Sequence, residues 1–186
     1  MLKFLNYNQK NSLKNLEKVL FKRKFSQKNE ILIVKKIISN VKKNGDRAVI
    51  KYEKKFSKIK IKNTKIIFSK KEINKIIKKT DKKIKKSINL AFNRIKKFHS
   101  KQKFLPFNFK DKLENELSYK YSPIEKIGVY VPGGTASYPS TVLMNCIPAM
   151  VAGVKNIYLT TPSLDDKINP AVIYAAKKCG VKKIYK

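Results

Sequence analysis

One stretch of the sequence constrains the fold more than any other, and it runs from Ile127 to Ser163. It reads as a short apolar strand, a Pro-Gly-Gly turn, a helix beginning near Pro139 and a second apolar strand at Asn156–Thr160. Pro148 lies inside the helical part, where a proline would kink it. A strand, a crossover helix and another strand in this order predict parallel strands joined by a right-handed crossover.

The same order continues toward the end of the sequence. A helix is predicted from about Pro170 to Cys179, Gly180 should stop it, and a strand begins near Lys183. The fold class is therefore α/β, with an N-terminal helical segment followed by an incomplete Rossmann-like parallel βαβαβ unit. A doubly wound sheet that ended there would leave its last strand as an edge without a covering helix.

The first 106 residues are mostly helical in pattern, and we place the boundary between the helical segment (1–106) and the α/β unit (107–186) at Pro106. A helix is predicted where apolar residues recur at helical spacing, and Asn44-Gly45 should end it. A second amphipathic piece follows from Asp46, and then a β-prone run at about Ile59–Phe68. The apolar positions of the first helix are Ile31, Val34, Ile37, Ile38 and Val41.

Two further helices are predicted before the boundary, and one strand after it. Ser69 and Glu72 have the spacing of a capping box, so a helix should begin at Lys70. Another helix should run from about Asp81 to Lys101, and Leu117–Tyr121 has the pattern of a strand.

The net charge of +33 suggests a polyanionic partner, but the kind of basic residue weakens that hypothesis. Only three of the 45 basic residues are arginines, the residue that makes the bidentate contacts of specific nucleic-acid binders. A lysine-rich, AT-biased coding sequence explains the charge more simply. We therefore expect no specific nucleic-acid partner, although a lysine-rich nucleic-acid-binding module stays open as an alternative.

Cysteine usage and hydropathy indicate a cytoplasmic protein. Cys146 and Cys179 lack the spacing of a zinc knuckle, so we expect buried thiols. The N-terminus lacks the pattern of a secretory signal, and no stretch approaches the roughly 20 apolar residues that span a bilayer. We expect no membrane partner.

The Pro-Gly-Gly turn marks the candidate site. The preceding strand would bring Tyr130 to its carboxyl end, and the glycines would let the backbone approach a ligand beside a helix N-terminus that favours anions. The bland alternatives are an ordinary turn, since GxGxxG is absent, and a Tyr130 that packs in the core. His99, the single histidine, is expected to be a packing or surface residue because one histidine cannot build a zinc site.

This stretch resembles histidinol dehydrogenases, which have a G-hydrophobic-Y-hydrophobic-PGG turn followed by a YPS-hydrophobic-VLMN-x-IPA-x-VAGV helix. Upstream, the Asn44-Gly45-Asp46 region resembles the family's helix–GD–helix segment, and Ala91 to Gln102 resembles its "I-x-x-F-H-x-x-Q" helix. The segment from Ala175 to Val181 resembles the one before the family's GGAQA motif. The matching positions of the main stretch are Gly128, Tyr130, Pro132, Gly133, Gly134, Tyr138, Pro139, Ser140, Val142, Leu143, Met144, Asn145, Ile147, Pro148, Ala149, Ala152 and Gly153.

The resemblance implies an NAD- and zinc-dependent enzyme that oxidises L-histidinol through L-histidinal to L-histidine, the last step of histidine biosynthesis, and that is a homodimer at full length. It implies that Tyr130 contacts NAD, with Pro132 in the turn beside it. The family's zinc ligands and catalytic residues would lie beyond Lys186, so the sequence is expected to be a fragment that is inactive alone. A non-catalytic structural partner of a full-length enzyme is a further alternative.

Overall fold

The computed structural model describes residues 11–56, 66–102, 105–133, 138–162 and 168–186, with the side chains of 22–28 left aside. Within them the chain forms two compact units, residues 1–52 and residues 53–186. The boundary at Pro106 between the helical segment and the α/β unit was placed by sequence pattern, and it stays a prediction. Among the described helices none is both long and apolar enough to cross a membrane.

The first unit is built on helix α1, Ser12–Phe56, whose last residues enter the second unit. Gly45 leaves the helical conformation (φ 55°, ψ −139°) and separates two helical pieces. The side-chain amide of Asn40 donates a hydrogen bond of 2.9 Å to the Tyr52 hydroxyl. Twelve residues of straight helix would span about 18 Å, so the chain turns back at Gly45. The expected helix stop at Asn44-Gly45 is confirmed.

A three-stranded parallel sheet organises the second unit. Its strands are β3, Lys126–Tyr130, β4, Asn156–Thr160, and β5, Lys183–Tyr185, in the order β3-β4-β5. The register places Val129 beside Leu159, and Leu159 beside Ile184. All three side chains are buried, so they form one apolar row across the sheet.

Helices α4, Pro139–Ala152, and α5, Pro170–Lys178, are the crossovers of this sheet. The buried face of α4 has helical spacing, because Val142, Leu143, Cys146 and Ile147 all point into the core. The helix is continuous through Pro148, and Gly153 ends it in the left-handed conformation with φ 95°. The α/β class and the parallel βαβ order are thus confirmed.

Two more helices belong to this unit, α2, Lys70–Lys78, and α3, Lys82–Ser100. The Tyr174 hydroxyl of α5 donates to the Asn89 side chain of α3 at 3.1 Å. Helices α2 and α3 begin where the sequence predicts. α2 begins at Lys70, directly after the complete Ser69 capping box, and Asp81 caps α3.

The outer edge of β5 pairs with a further segment of the chain, which the sequence pattern does not predict. The Phe68 amide donates to the Ile184 carbonyl at 2.9 Å, and the Lys186 amide donates to Ile66 at 2.8 Å. Residues 66–68 thus pair antiparallel to β5. The rest of the β-prone run, residues 59–65, lies outside the described residues.

An antiparallel hairpin links α3 to the sheet. It consists of β1, Phe107–Lys110, and β2, Glu116–Tyr119, the second of which matches the predicted strand. β1 has no counterpart among the predicted strands, because Pro106 indicates only the end of a helix.

Glu72 completes the capping box of α2 and also contacts Lys186, the residue after β5. It accepts a hydrogen bond from the Ser69 amide at 2.7 Å and one from the Lys186 ammonium at 2.9 Å. These two bonds, the Ser69 amide first, lower its pKa from 4.5 to about 2. Because the folded pKa is depressed, the stabilisation is present above about pH 4.5 and is lost as the pH falls toward 2.

We predict that Glu72→Gln lowers the free energy of unfolding by about 0.5–1 kcal/mol at pH 7, since glutamine keeps the cap but loses the charge. Urea titrations at several pH values should show this difference shrinking below pH 4.5. Glu125→Gln is the control, because Glu125 makes only an exposed pair with Lys126 at 3.3 Å. A difference that stays constant down to pH 2 would contradict the prediction.

Candidate functional site

Tyr130 lies where the sequence predicted, at the carboxyl end of β3. Its neighbours Val129 and Val131 are buried on the helix side, so Tyr130 belongs to the opposite face of the sheet. Its side chain is 61% exposed. The carboxyl end of parallel strands is where ligands bind in open α/β sheets. An exposed aromatic ring therefore stands at the edge where such a fold presents its ligand site.

The turn after β3 is held against the loop after β4. The Val131 amide donates to the Thr160 carbonyl at 2.9 Å, which extends the pairing beyond the last residue of the strand. A side chain at Gly133 would place its Cβ 2.6 Å from the Pro162 carbonyl oxygen. Only glycine permits this approach, so Gly133 is needed for loop packing. Gly134 lies outside the described residues.

Pro132 follows as an exposed residue of the same turn. On the other side of the turn, α4 begins with Pro139 in its first turn, as expected from the sequence. Tyr138 precedes the helix without a side-chain capping bond, and no acidic residue lies in the first turn. Pro139 has no amide hydrogen and the Thr141 amide donates to the Tyr138 carbonyl at 3.1 Å, so the positive charge at this end of α4 is that of the helix dipole.

The two cysteines lie deep in the core between α4 and α5. Both are buried and neither forms a disulfide, which confirms the expectation of buried thiols. A hydrogen bond with Cys146, together with burial, raises the pKa of the Cys179 thiol. A thiol kept protonated in this way is a packing residue and a poor nucleophile.

The described residues do not fit a zinc site. No three histidine, cysteine or acidic side chains among them converge. His99 lies near the end of α3, where its Nδ1 is 2.6 Å from the Gln102 Oε1, and its ring meets Phe98 edge-on. It therefore has an amide partner and an aromatic one at the end of its own helix.

Sequence reasoning missed a cleft of about 560 Å³ at the other end of the unit. It is bordered by the C-terminal ends of α3 and α4 and by the segment before β3, so it faces the amino ends of the strands. Its lining residues are His99, Gln102, Tyr121, Ser122, Pro123, Pro148, Val151, Ala152 and Gly153. No local pattern in the sequence predicts this cleft, because its walls come from three separate segments.

A parallel βαβαβ sheet with an aromatic side chain and a tight glycine turn at its carboxyl edge defines a Rossmann-like α/β protein. A sequence profile of the histidinol dehydrogenase family matches residues 21–186. The chain belongs to that family.

Individual relatives agree with this assignment. The chain is 53% identical to the histidinol dehydrogenase of Pelagibacter ubique (strain HTCC1062) over 185 residues, which are 100% of this chain and 42% of that protein. It is 42% identical to that of Prochlorococcus marinus subsp. pastoris over 155 residues, 83% of this chain and 36% of that protein. The crystal structure of histidinol dehydrogenase from Elizabethkingia anophelis matches with a TM-score of 0.77 and 39% identity, covering 83% of this chain and 35% of that one. The chain thus spans less than half the length of these relatives.

The contact between Gly133 and Pro162 yields a stability prediction. In Gly133→Ala the new methyl group would lie 2.6 Å from the Pro162 oxygen and 3.2 Å from its Cβ, so one loop must move. We expect a loss of about 1–3 kcal/mol, the usual cost of overpacking, measured by urea denaturation. Gly128→Ala is the matched control, because nothing lies within 4 Å of a Cβ at Gly128. Equal losses in the two variants would show that the loop contact contributes little.

Proposed function

We propose that this chain forms the part of a histidinol dehydrogenase that presents one wall of the NAD site. In this proposal the complete enzyme oxidises L-histidinol through L-histidinal to L-histidine, as the final step of histidine biosynthesis. It would act in the cytoplasm as a homodimer. The observation that carries the proposal is the exposed Tyr130 ring at the carboxyl end of β3, in a chain that belongs to this family.

The exposure of Tyr130 supports a ligand contact over a packing role. A core aromatic would fill space between the sheet and its helices, as the fully buried Val131 does one residue later. Tyr130 instead leaves most of its ring open on the face opposite to α4. An aromatic surface of this kind suits a flat ring system such as those of a dinucleotide.

The neighbouring residues would position this contact. Packing of Gly133 against Pro162 fixes the turn beside Tyr130, so Pro132 is held at the rim of the site. The N-terminal end of α4 carries the positive end of the helix dipole, which suits a phosphate group. NAD, when bound, would accept the hydride in each oxidation, and this chain's own residues would bind and orient it.

The zinc ion and the proton-transferring groups of the reaction would have to come from outside residues 1–186. The described residues do not bring together a ligand set for zinc, and the chain spans 42% of its Pelagibacter ubique relative. We call the part of that relative outside the aligned region the complement. The proposal requires the complement, or its equivalent, for catalysis.

We predict that the purified 186-residue chain produces no NADH from L-histidinol and NAD, because the reaction needs a metal and an acid–base pair, and the described residues do not converge on a metal site. The assay follows absorbance at 340 nm. A fusion of the chain to the complement is the positive arm and should be active. NADH formation by the chain alone would overturn the claim of dependence on the complement. An inactive but folded fusion would count against the proposed function.

In the active fusion, Tyr130→Ala should weaken the NAD dependence of the rate by roughly ten- to a hundredfold, the loss expected for one aromatic contact of about 1–3 kcal/mol. Steady-state kinetics with varied NAD measure this effect. The dependence on histidinol and the zinc content should hardly change.

Tyr130→Phe serves as the matched control, because it keeps the ring and should retain most of the NAD affinity. Thermal melting of both variants separates binding from stability. If Tyr130→Ala lowers the melting temperature and leaves the NAD dependence intact, then Tyr130 is a structural aromatic and the assignment is wrong.

A further inference from the structure

The hairpin of β1 and β2 has one apolar face. The register pairs Phe107 with Tyr119 and Phe109 with Leu117, so these four side chains share a face. The Phe107 ring stacks on Tyr119 at 5.4 Å between centroids and on Phe109 at 6.5 Å. The residues between them along the strands, such as Asn108 and Ser118, form a polar second face. We call the apolar side the hairpin face.

The hairpin face is exposed throughout. Its side chains keep about half of their surface in solvent, from 49% for Phe107 to 61% for Leu117. Both strands consist of exposed residues only. Two-stranded hairpins are marginal in water without a packed face, and contiguous apolar patches of this kind mark interaction sites. The face therefore needs a cover.

The turn of the hairpin is built to hold its shape. Asp111 accepts hydrogen bonds from the amides of Leu113 at 2.8 Å and Asn115 at 2.9 Å, and its second oxygen accepts from the Asn115 side chain. These bonds, the Asn115 side chain first, lower the pKa of Asp111. Such a fixed turn presents the face as a preorganised platform, which reduces the entropy lost on docking.

The charge of the hairpin distinguishes between the possible binding partners of the hairpin face. The segment 105–121 holds three lysines and three acidic residues and is neutral, whereas the whole chain has a net charge of +33. A neutral apolar surface lacks the excess charge that nucleic acids or anionic membranes require. Between two copies of the 186-residue chain alone, the shared net charge of +33 would oppose docking. The hairpin face therefore fits a protein surface other than its own chain.

We propose that the hairpin face docks against the complement, the part of a histidinol dehydrogenase that this chain does not match. The inference rests on the proposed function, and its quantitative basis is length: 42% of the Pelagibacter ubique relative corresponds to the whole of this chain. The complement is more than half of that relative's length, which is enough polypeptide to cover a face of this size. The densest exposed apolar segment of the described α/β unit is the hairpin with its flanks.

Hydrogen exchange provides the test, in the intact chain and in its fusion to the complement. We expect the amides of Phe107–Lys110 and Glu116–Tyr119 to exchange at least roughly tenfold more slowly in the fusion, because docking suppresses local opening. Exchange in the fusion at the rate of the chain alone would overturn the proposal. So would protection in the chain alone that rises with its concentration, or that appears only with an oligonucleotide or anionic vesicles.

Substitution gives a second arm. Phe109→Lys in the fusion should abolish the protection of β2, whereas Ser118→Lys, on the polar face of the same hairpin, should preserve it. Equal protection in both variants would contradict docking through the hairpin face. The activity of the unsubstituted fusion separates the two proposals: an active fusion with an unprotected hairpin refutes the docking alone, and a protected hairpin in an inactive fusion refutes the function alone.

Discussion

The α/β unit depends on the packing of one apolar row against two helices. Val129, Leu159 and Ile184 lie side by side across the sheet, and α4 and α5 cover them with fully buried side chains such as Ile147 and Ile173. Burial of each of these side chains contributes about 1.5–3 kcal/mol. Because side chains alternate along a strand, a shift of register by one residue would turn this row to solvent. The register, and every position that follows from it, is fixed by this packing.

The geometry of the carboxyl edge follows from that register. Once Val129 points inward, Tyr130 must point to the other face, and Val131 must point inward again. The hydrogen bond between Val131 and Thr160 keeps the segments after β3 and β4 side by side beyond the strands. Gly133 therefore comes into contact with Pro162. The exposed aromatic ring and the tight turn are thus two consequences of the same strand alignment.

Local signals in the sequence were sufficient to predict most of the elements, β1 excepted, and insufficient to predict which segments pair or pack together. The Ser69 capping box and the strand Asn156–Thr160 could be predicted because their causes lie within a few residues. The pairing of residues 66–68 with β5 could not, because it joins segments more than 110 positions apart. The same holds for the cleft beside His99 and for the contact partner of Gly133. At the candidate site, the place of Tyr130 was predictable from strand alternation, but its exposure depends on which face the helices cover.

That choice of face is itself set by the handedness of the crossovers. The strands follow one another in the order β3-β4-β5, and right-handed connections in a consecutive order put both α4 and α5 on the same face. Parallel sheets are usually covered on both faces. Within the described residues, neither crossover helix covers the second face of this sheet, which holds Tyr130, Tyr158 and Tyr185. This sheet, covered by crossover helices on one face, therefore exposes an aromatic side chain at its carboxyl edge and, within the described residues, leaves the face around Tyr130 open. In the proposed function, this chain would bind one side of a dinucleotide, and the complement would supply the opposing side.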